Sequence, residues 1–175
     1  MCALLAGAAL LASAATVVEP STGITLTVSP SGRYTILRSD PETGLAHFRG
    51  WRFSGDTGRE LTDLAEGTGS DLTGPYQEIS FRYFDGGARV ASIRTYSGRP
   101  VVLFTLKYLD TAANAAPFPE FAAYPRKLFH LSFDGIFGTH RFNYLAPDSP
   151  WLFFDGRANA FLISPLSHFG VAALS

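Results

Sequence analysis

The chain has 175 residues, 46% of them hydrophobic and 17% charged, with a formal net charge of −1. That size suits one domain of roughly 100–200 residues with a core of its own, and the composition is globular, not disordered. A charge so near zero excludes the basic footprint of a nucleic-acid binder. A single cysteine, Cys2, excludes an internal disulfide and a cysteine-based zinc site.

The N-terminus reads "MCALLAGAALLASAATVVEP", in which Cys2 to Val18 is an uncharged run of 17 residues. A spanning helix wants about 20. The small triplet Ala12-Ser13-Ala14 after the apolar run has the character of a signal-peptidase site, although a basic segment before it is missing. The expectation is a secretory signal over residues 1–18, with a membrane anchor or a buried helix as alternatives. A lipoprotein anchored through Cys2 is not the expectation, since Met1 alone before it makes no lipobox. Export without disulfides fits a bacterial periplasm or a secreted protein, with no membrane span in the mature chain.

Strand signals then recur. "GITLTVS" (23–29) alternates Ile24, Leu26 and Val28 with Thr25 and Thr27, "SPSG" (29–32) is a turn, and "RYTILRS" (33–39) returns. "LAHFRGWRF" (45–53) is a third strand candidate. Residues 54–75 are polar and Gly-rich, and read either as a loop or as a short helix from Arg59 to Ala65 capped by Thr57.

Residues 76–109, "YQEISFRYFDGGARVASIRTYSGRPVVLFTLKYL", form a β-meander with turns at 85–87 and 97–100. Ile79, Phe81 and Tyr83 share one face, and Glu78, Ser80 and Arg82 the other. Ala91, Ile93 and Thr95 oppose Ser92, Arg94 and Tyr96 in the same way. Arg82 and Arg94 should point outward and make cross-strand charge pairs. "VVLFTLKYL", apolar on both faces, is expected at the centre of a sheet.

Pro117, Pro119 and Pro125 exclude regular pairing over 110–126, an irregular segment of a length often tied to function. Strands resume at 127–135, 140–145, 151–155 and 159–164, and a last apolar piece covers 169–174. About ten strands with almost no helix give an all-β class, an antiparallel β-sandwich over residues 19–175. The pattern stops within a strand, which raises the expectation of a fragment or of the first domain of a longer chain.

The nucleophile elbow, Walker loop, zincin helix, dinucleotide fingerprint and EF-hand loop are absent from the sequence. His47, His130, His140 and His168 show no helical metal spacing, so neither a metal nor a cofactor is expected. His130 and Asp134 share one face of their strand. Glu120 lies between Phe118 and Phe121 in the irregular segment. Trp151 and Asp155 precede a turn that Arg157 and Asn159 follow. Aromatic faces stack on sugar C–H surfaces while Asp, Arg, Asn, Glu and His bond hydroxyls. These seven residues are the sequence's candidates for a carbohydrate contact, against the alternative that they are core and turn residues.

The 76–109 meander and "SPWLFFDGRANAFLISPLSHF" resemble the N-terminal β-supersandwich of secreted glycoside hydrolases of the α-galactosidase and raffinose synthase kind. That module is similar to the galactose-mutarotase fold. The resemblance implies a non-catalytic sandwich that buttresses a C-terminal (β/α)₈ catalytic domain. It carries over no catalytic residue, because the family's two carboxylates belong to the barrel and no strand–helix alternation is present here. The mutarotase His and Glu find no match in this chain. A free-standing carbohydrate- or partner-binding module, and a small mutarotase- or lyase-like enzyme using His130, Asp134 or Glu120, are the alternatives.

Overall fold

The structure is a computed structural model and describes residues 13–39, 51–111, 116–123, 128–133, 140–142, 150–155 and 159–166. Within these residues it is all-β and contains no helix. Thirteen strands are described: β1 (Ala15–Glu19), β2 (Ile24–Val28), β3 (Arg33–Arg38), β4 (Trp51–Asp56), β5 (Thr62–Asp71), β6 (Gly74–Phe84), β7 (Ala88–Tyr96), β8 (Arg99–Tyr108), β9 (Phe121–Ala123), β10 (Phe129–Phe133), β11 (His140–Phe142), β12 (Trp151–Phe154) and β13 (Ala160–Ile163). The chain divides into two compact units, Met1–Tyr124 and Pro125–Ser175.

The first unit is an antiparallel sandwich. Its two sheets have the orders β1-β2-β3-β4-β9 and β5-β6-β7-β8. Alternation in the sequence becomes alternation in burial. In "ITLTV" the residues Ile24, Leu26 and Val28 are buried and the two threonines are not. They meet Ala15, Val17, Tyr34 and Ile36 of the same sheet, and Ile79, Phe81, Tyr83, Ala91 and Ile93 of the other, in one core. The expected core faces of β6 and β7 therefore hold, but Ser92 and Tyr96 on the opposite face of β7 are buried as well. Two bonds stitch the sheets where β1 passes β5 and β6: the Thr16 amide donates to Glu66 Oε1 (2.7 Å), and Gln77 Nε2 donates to the Val18 carbonyl (3.0 Å).

Residues 15–18 of the apolar N-terminal run belong to β1, and residues 1–12 lie outside the described residues. Three expectations need revision. The 54–75 segment holds neither the helix nor a plain loop, because Thr62–Asp71 is a ten-residue strand. "TDLAEGTGSD" shows no apolar alternation because it is an edge strand, exposed along most of its length. Its partner β6 and the turn between them, where the Asp71 carboxylate accepts the Thr73 amide (2.8 Å), supply the order its own pattern lacks.

β8 ends its sheet instead of lying at its centre. Val102, Phe104 and Leu106 turn to the core while Val101 remains 42% exposed. Pro100, which cannot donate a ladder bond, suits an edge. The irregular 110–126 segment contains a short strand, β9, which pairs with β4. Just before it, Phe118 enters a ring cluster with Tyr34, Phe81 and Phe104 at centroid distances of 5.8–5.9 Å. Phe121 packs on Phe53 at 5.6 Å and on Phe104 at 5.7 Å. The prolines exclude ladder pairing around them, but two phenylalanines give the segment an apolar reason to lie on the sandwich.

The second unit contains one sheet of order β11-β10-β12-β13. The sequence's strands at 127–135, 140–145, 151–155 and 159–164 each contain one of its strands within the described residues.

Candidate functional site

The seven residues singled out by sequence are not gathered into one described site. Glu120 belongs to the first unit, and His130, Trp151, Asp155 and Asn159 belong to the second. Asp134 and Arg157 lie outside the described residues. Glu120 has an exposed side chain and acts through its backbone. Asp155 and Asn159 close the β12–β13 hairpin on each other. Asp155 Oδ2 accepts Asn159 Nδ2 (2.9 Å), Oδ1 accepts the Asn159 amide (3.1 Å), and the Asp155 amide donates to the Asn159 carbonyl (3.0 Å). Trp151 meets Phe153 edge-on at 6.4 Å, His130 tilts against Phe153 at 6.0 Å, and Phe153 stacks on Phe161 at 4.9 Å. His130, Phe153 and Phe161 are cross-strand neighbours by register and Trp151 stands two residues along β12 from Phe153, so the rings form a packed stripe across β10, β12 and β13.

A denser polar constellation lies in the first unit, on the face of the β5–β8 sheet that turns away from the core. The turn at Asp85–Gly87 sets the register of β6 and β7, and Glu78 and Arg94 stand equally far from it. They are therefore direct cross-strand partners, as are Tyr76 and Tyr96. Arg94 Nε bonds the Glu78 carboxylate, and its Nη1 reaches Asp71 Oδ2 at 3.5 Å. The Tyr96 hydroxyl donates to the same Asp71 oxygen (2.9 Å). The guanidinium lies 4.2 Å over the Tyr76 ring, and Tyr76 and Tyr96 meet edge-on at 5.9 Å. One arginine is thus held between two carboxylates and against an aromatic ring.

The protonation states follow from these contacts. Burial pushes Asp71 up, but the Thr73 amide, the Tyr96 hydroxyl, the Gly74 amide and Arg94 outweigh it and hold the carboxyl below its ordinary value. Burial likewise opposes the charge on Arg94, and Glu78 more than restores it. Burial raises Tyr96, which keeps its proton for Asp71. A general acid needs a raised carboxyl, so Asp71 is suited to accepting hydrogen bonds and not to giving up a proton. Next to the constellation the surface is low. Gly67 and Gly69 stand opposite Glu78 and Tyr76, and Ser80 pairs with Ser92. A side chain at Gly69 would meet the Tyr76 hydroxyl at 2.5 Å, so the glycine is what lets the ring lie across β5.

Tyr76 also lines a groove of about 310 Å³ together with Glu19, Thr68, Gly69, Pro75, Gln77 and Ser97. Glu19 is buried. Its Oε1 accepts the Ser21 hydroxyl (2.6 Å) and amide (3.1 Å), and Gln77 Nε2 stands 3.5 Å from Oε2. The Ser21 hydroxyl leads the causes that lower its pKa, burial opposes, and Gln77 and Ser97 add to the lowering.

Sequence reasoning placed Arg94 outward with a charge partner, as found, but it did not connect that pair to Asp71, Tyr76 and Glu19. The Glu78–Arg94 match was available from the turn register. Asp71 and Glu19 were not, because one sits on a strand without a pattern and the other comes from the opposite sheet. The chain matches no protein-family model, no curated protein and no solved structure.

Proposed function

We propose that the first unit is a non-catalytic, carbohydrate-binding β-sandwich of an exported carbohydrate-active protein. The observation that carries this reading is the Arg94 guanidinium fixed between Glu78 and Asp71. Two ionised carboxylates accept from vicinal hydroxyls, an arginine donates to the ring or hydroxyl oxygens between them, and Tyr76 and Tyr96 hold all three in place. Such a set reads hydroxyl geometry without needing a proton transfer. The low strip over Gly67, Gly69 and Ser80 leaves room for a sugar ring to approach.

Affinity electrophoresis tests this reading. The whole chain is run through gels containing galactomannan, xylan, a mixed-linkage β-glucan or hydroxyethylcellulose. At least one polysaccharide should retard the wild type, and Arg94→Met should abolish that retardation while thermal unfolding stays cooperative. Absence of retardation by every polysaccharide, or retardation that survives Arg94→Met, rejects it.

A second reading, a sandwich that buttresses a catalytic domain, draws support from a different place. Phe84 is 67% exposed and Leu109 is 48% exposed. They flank Ala88, which pairs with Phe84 and whose carbonyl accepts the Leu109 amide (3.0 Å). An apolar row at one end of a sheet is what a docked domain would cover. Replacing Phe84 by Ser should then raise solubility and leave glycan binding intact, whereas under the first reading alone it changes neither.

A further inference from the structure

Among the described residues the first unit has two buried carboxylates, and they are treated differently. Asp85 receives two arginines: Arg59 Nη2 at 2.9 Å and Arg89 Nη2 at 3.5 Å. Glu19 is 4% exposed and, among the described residues, has no Lys, Arg or His within ion-pair distance. Only neutral donors reach it, namely Ser21, Ser97 and, at the 3.5 Å limit, Gln77. An ionised carboxylate out of water is costly unless a cation or enough donors face it. Oε1 takes both Ser21 donors, whereas Gln77 meets Oε2 at the long 3.5 Å limit. Oε2 belongs to a side chain that lines the groove beside Tyr76.

The other charges near the groove do not supply the missing cation. Arg94 lies on the Tyr76 ring, but Glu78 and Asp71 both engage it. Two carboxylates against one guanidinium leave that cluster negative, and Glu19 adds a second uncompensated charge in the groove that the same tyrosine lines. The groove offers a hydroxyl on Thr68, a ring edge on Tyr76 and an apolar face on Pro75. At about 310 Å³ it is at the small end of ligand sites, which run from roughly 300 to 1,000 Å³.

We infer that this groove is an ammonium-binding subsite, and that it takes the free amino group of a 2-amino sugar within the glycan held on the neighbouring platform. The inference rests on the carbohydrate-binding reading and narrows it to cationic glycans. The ammonium donates to Glu19 Oε2 in place of the long Gln77 contact, the sugar ring lies against Pro75 and Tyr76, and Thr68 bonds a ring hydroxyl. The excess negative charge of the platform adds to the preference at low ionic strength.

Calorimetric titration of the whole chain at pH 5.5 with a chitosan hexamer, its fully N-acetylated counterpart and cellohexaose tests the inference. The chitosan hexamer should bind at least tenfold more tightly than the other two. Glu19→Gln should bring it to parity with them. Thr68→Lys, an exposed substitution that places a resident ammonium at the groove, should do the same without touching the buried carboxylate. Equal binding of the three hexamers by wild type, or a preference that persists in both variants, overturns it. The platform reading fails separately. Binding of cellohexaose that depends on Arg94, without any amine preference, overturns the subsite and leaves the platform. An amine preference that needs Glu19 but is unchanged by Arg94→Met overturns the platform and leaves the subsite. No binding of any hexamer overturns both.

Discussion

Tyr34 and Glu120, one on the central part of the first sheet and the other in the proline-rich segment, exchange two hydrogen bonds through a single hydroxyl. Tyr34 Oη donates to the Glu120 carbonyl at 2.5 Å and accepts from the Glu120 amide at 2.8 Å. Tyr34 is 2% exposed, and burial holds its phenol far above the ordinary value, so the hydroxyl keeps its proton throughout the accessible pH range. The bond fixes the segment whose Phe118 and Phe121 complete the core. Tyr34→Phe keeps the ring contacts and removes both bonds. It should cost about 1–3 kcal/mol by urea denaturation, with a larger loss of amide-exchange protection over 116–123 than over β6 and β7. A uniform loss of protection would mean the hydroxyl does not act on that segment.

Gly55 makes this arrangement possible. A Cβ there would stand 2.1 Å from the Glu120 carbonyl oxygen and 2.2 Å from the Tyr34 hydroxyl. The first obstacle is backbone, which cannot swing aside as a flexible side chain does. Gly55→Ala should therefore destabilise by about 1–3 kcal/mol or more through overpacking. Gly67, where nothing lies within 4 Å of the same atom, is the control. Gly67→Ala should be neutral or stabilising by up to about 1 kcal/mol, because it restricts only the unfolded chain. Equal effects at the two positions would show that β9 can move off β4 at little cost.

How much of this was legible in the sequence depends on where each residue gets its order. β2, β3, β6 and β7 carry their own period-two pattern, and Leu26, Phe81 and Ile93 are buried where that pattern puts them. β5 does not, because an exposed edge strand has no buried face to encode, and its order comes from β6. β8 carries apolar residues on both faces and so resembled a central strand, yet it is an edge. Two-sided apolarity does not show that both edges are paired: Val102, Phe104 and Leu106 turn to the core, and Val101 on the other face stays exposed. The site was less legible than the fold. Trp151, Asp155 and Asn159 were conspicuous because they are close in sequence, and closeness in sequence is what closes a hairpin. Tyr76 and Arg94 meet through the β6–β7 hairpin, but Glu19 comes from β1 of the other sheet, and only the packing of two sheets sets it beside Tyr76.

Arg89 is fully buried, with Asp85 as its carboxylate partner. Its Nη2 bonds the Asp85 carbonyl, and the guanidinium lies 5.0 Å over the Tyr108 ring. The Ala116 amide leads the causes that hold Asp85 below its ordinary 3.8, followed by the Arg59 side chain, with burial opposing and Arg89 adding to the effect. A lowered folded pKa means that, as pH falls, the unfolded chain takes up this proton before the folded chain does. The stabilisation is complete above about pH 5 and drains away through 3.8 and below. Wild type should therefore lose Tm more steeply than Asp85→Asn between about pH 5 and pH 2, so that the curves converge in acid. At pH 7 the single variant should be less stable than Asp85→Asn/Arg89→Met, which also removes the guanidinium left buried without its counter-charge. Parallel Tm curves would rule out this carboxylate as a source of acid sensitivity.

The Asp155–Asn159 pair gives the matching prediction for the second unit. Three bonds join these two residues across the hairpin tip. Asp155→Ala removes the two made by the carboxylate and leaves the main-chain bond in place. The expected loss is about 1–2 kcal/mol, seen as faster amide exchange at Asp155, Asn159 and the β12–β13 ladder, with the first unit unaffected. Asn159→Ala should reproduce part of this, and the double variant should add little, because both singles break the same side-chain bond. Glycan retardation should be unchanged in all three variants, since the carboxylate that looked like a ligand contact in the sequence is engaged in closing its own turn. A loss of retardation with intact exchange protection would return Asp155 to the binding surface.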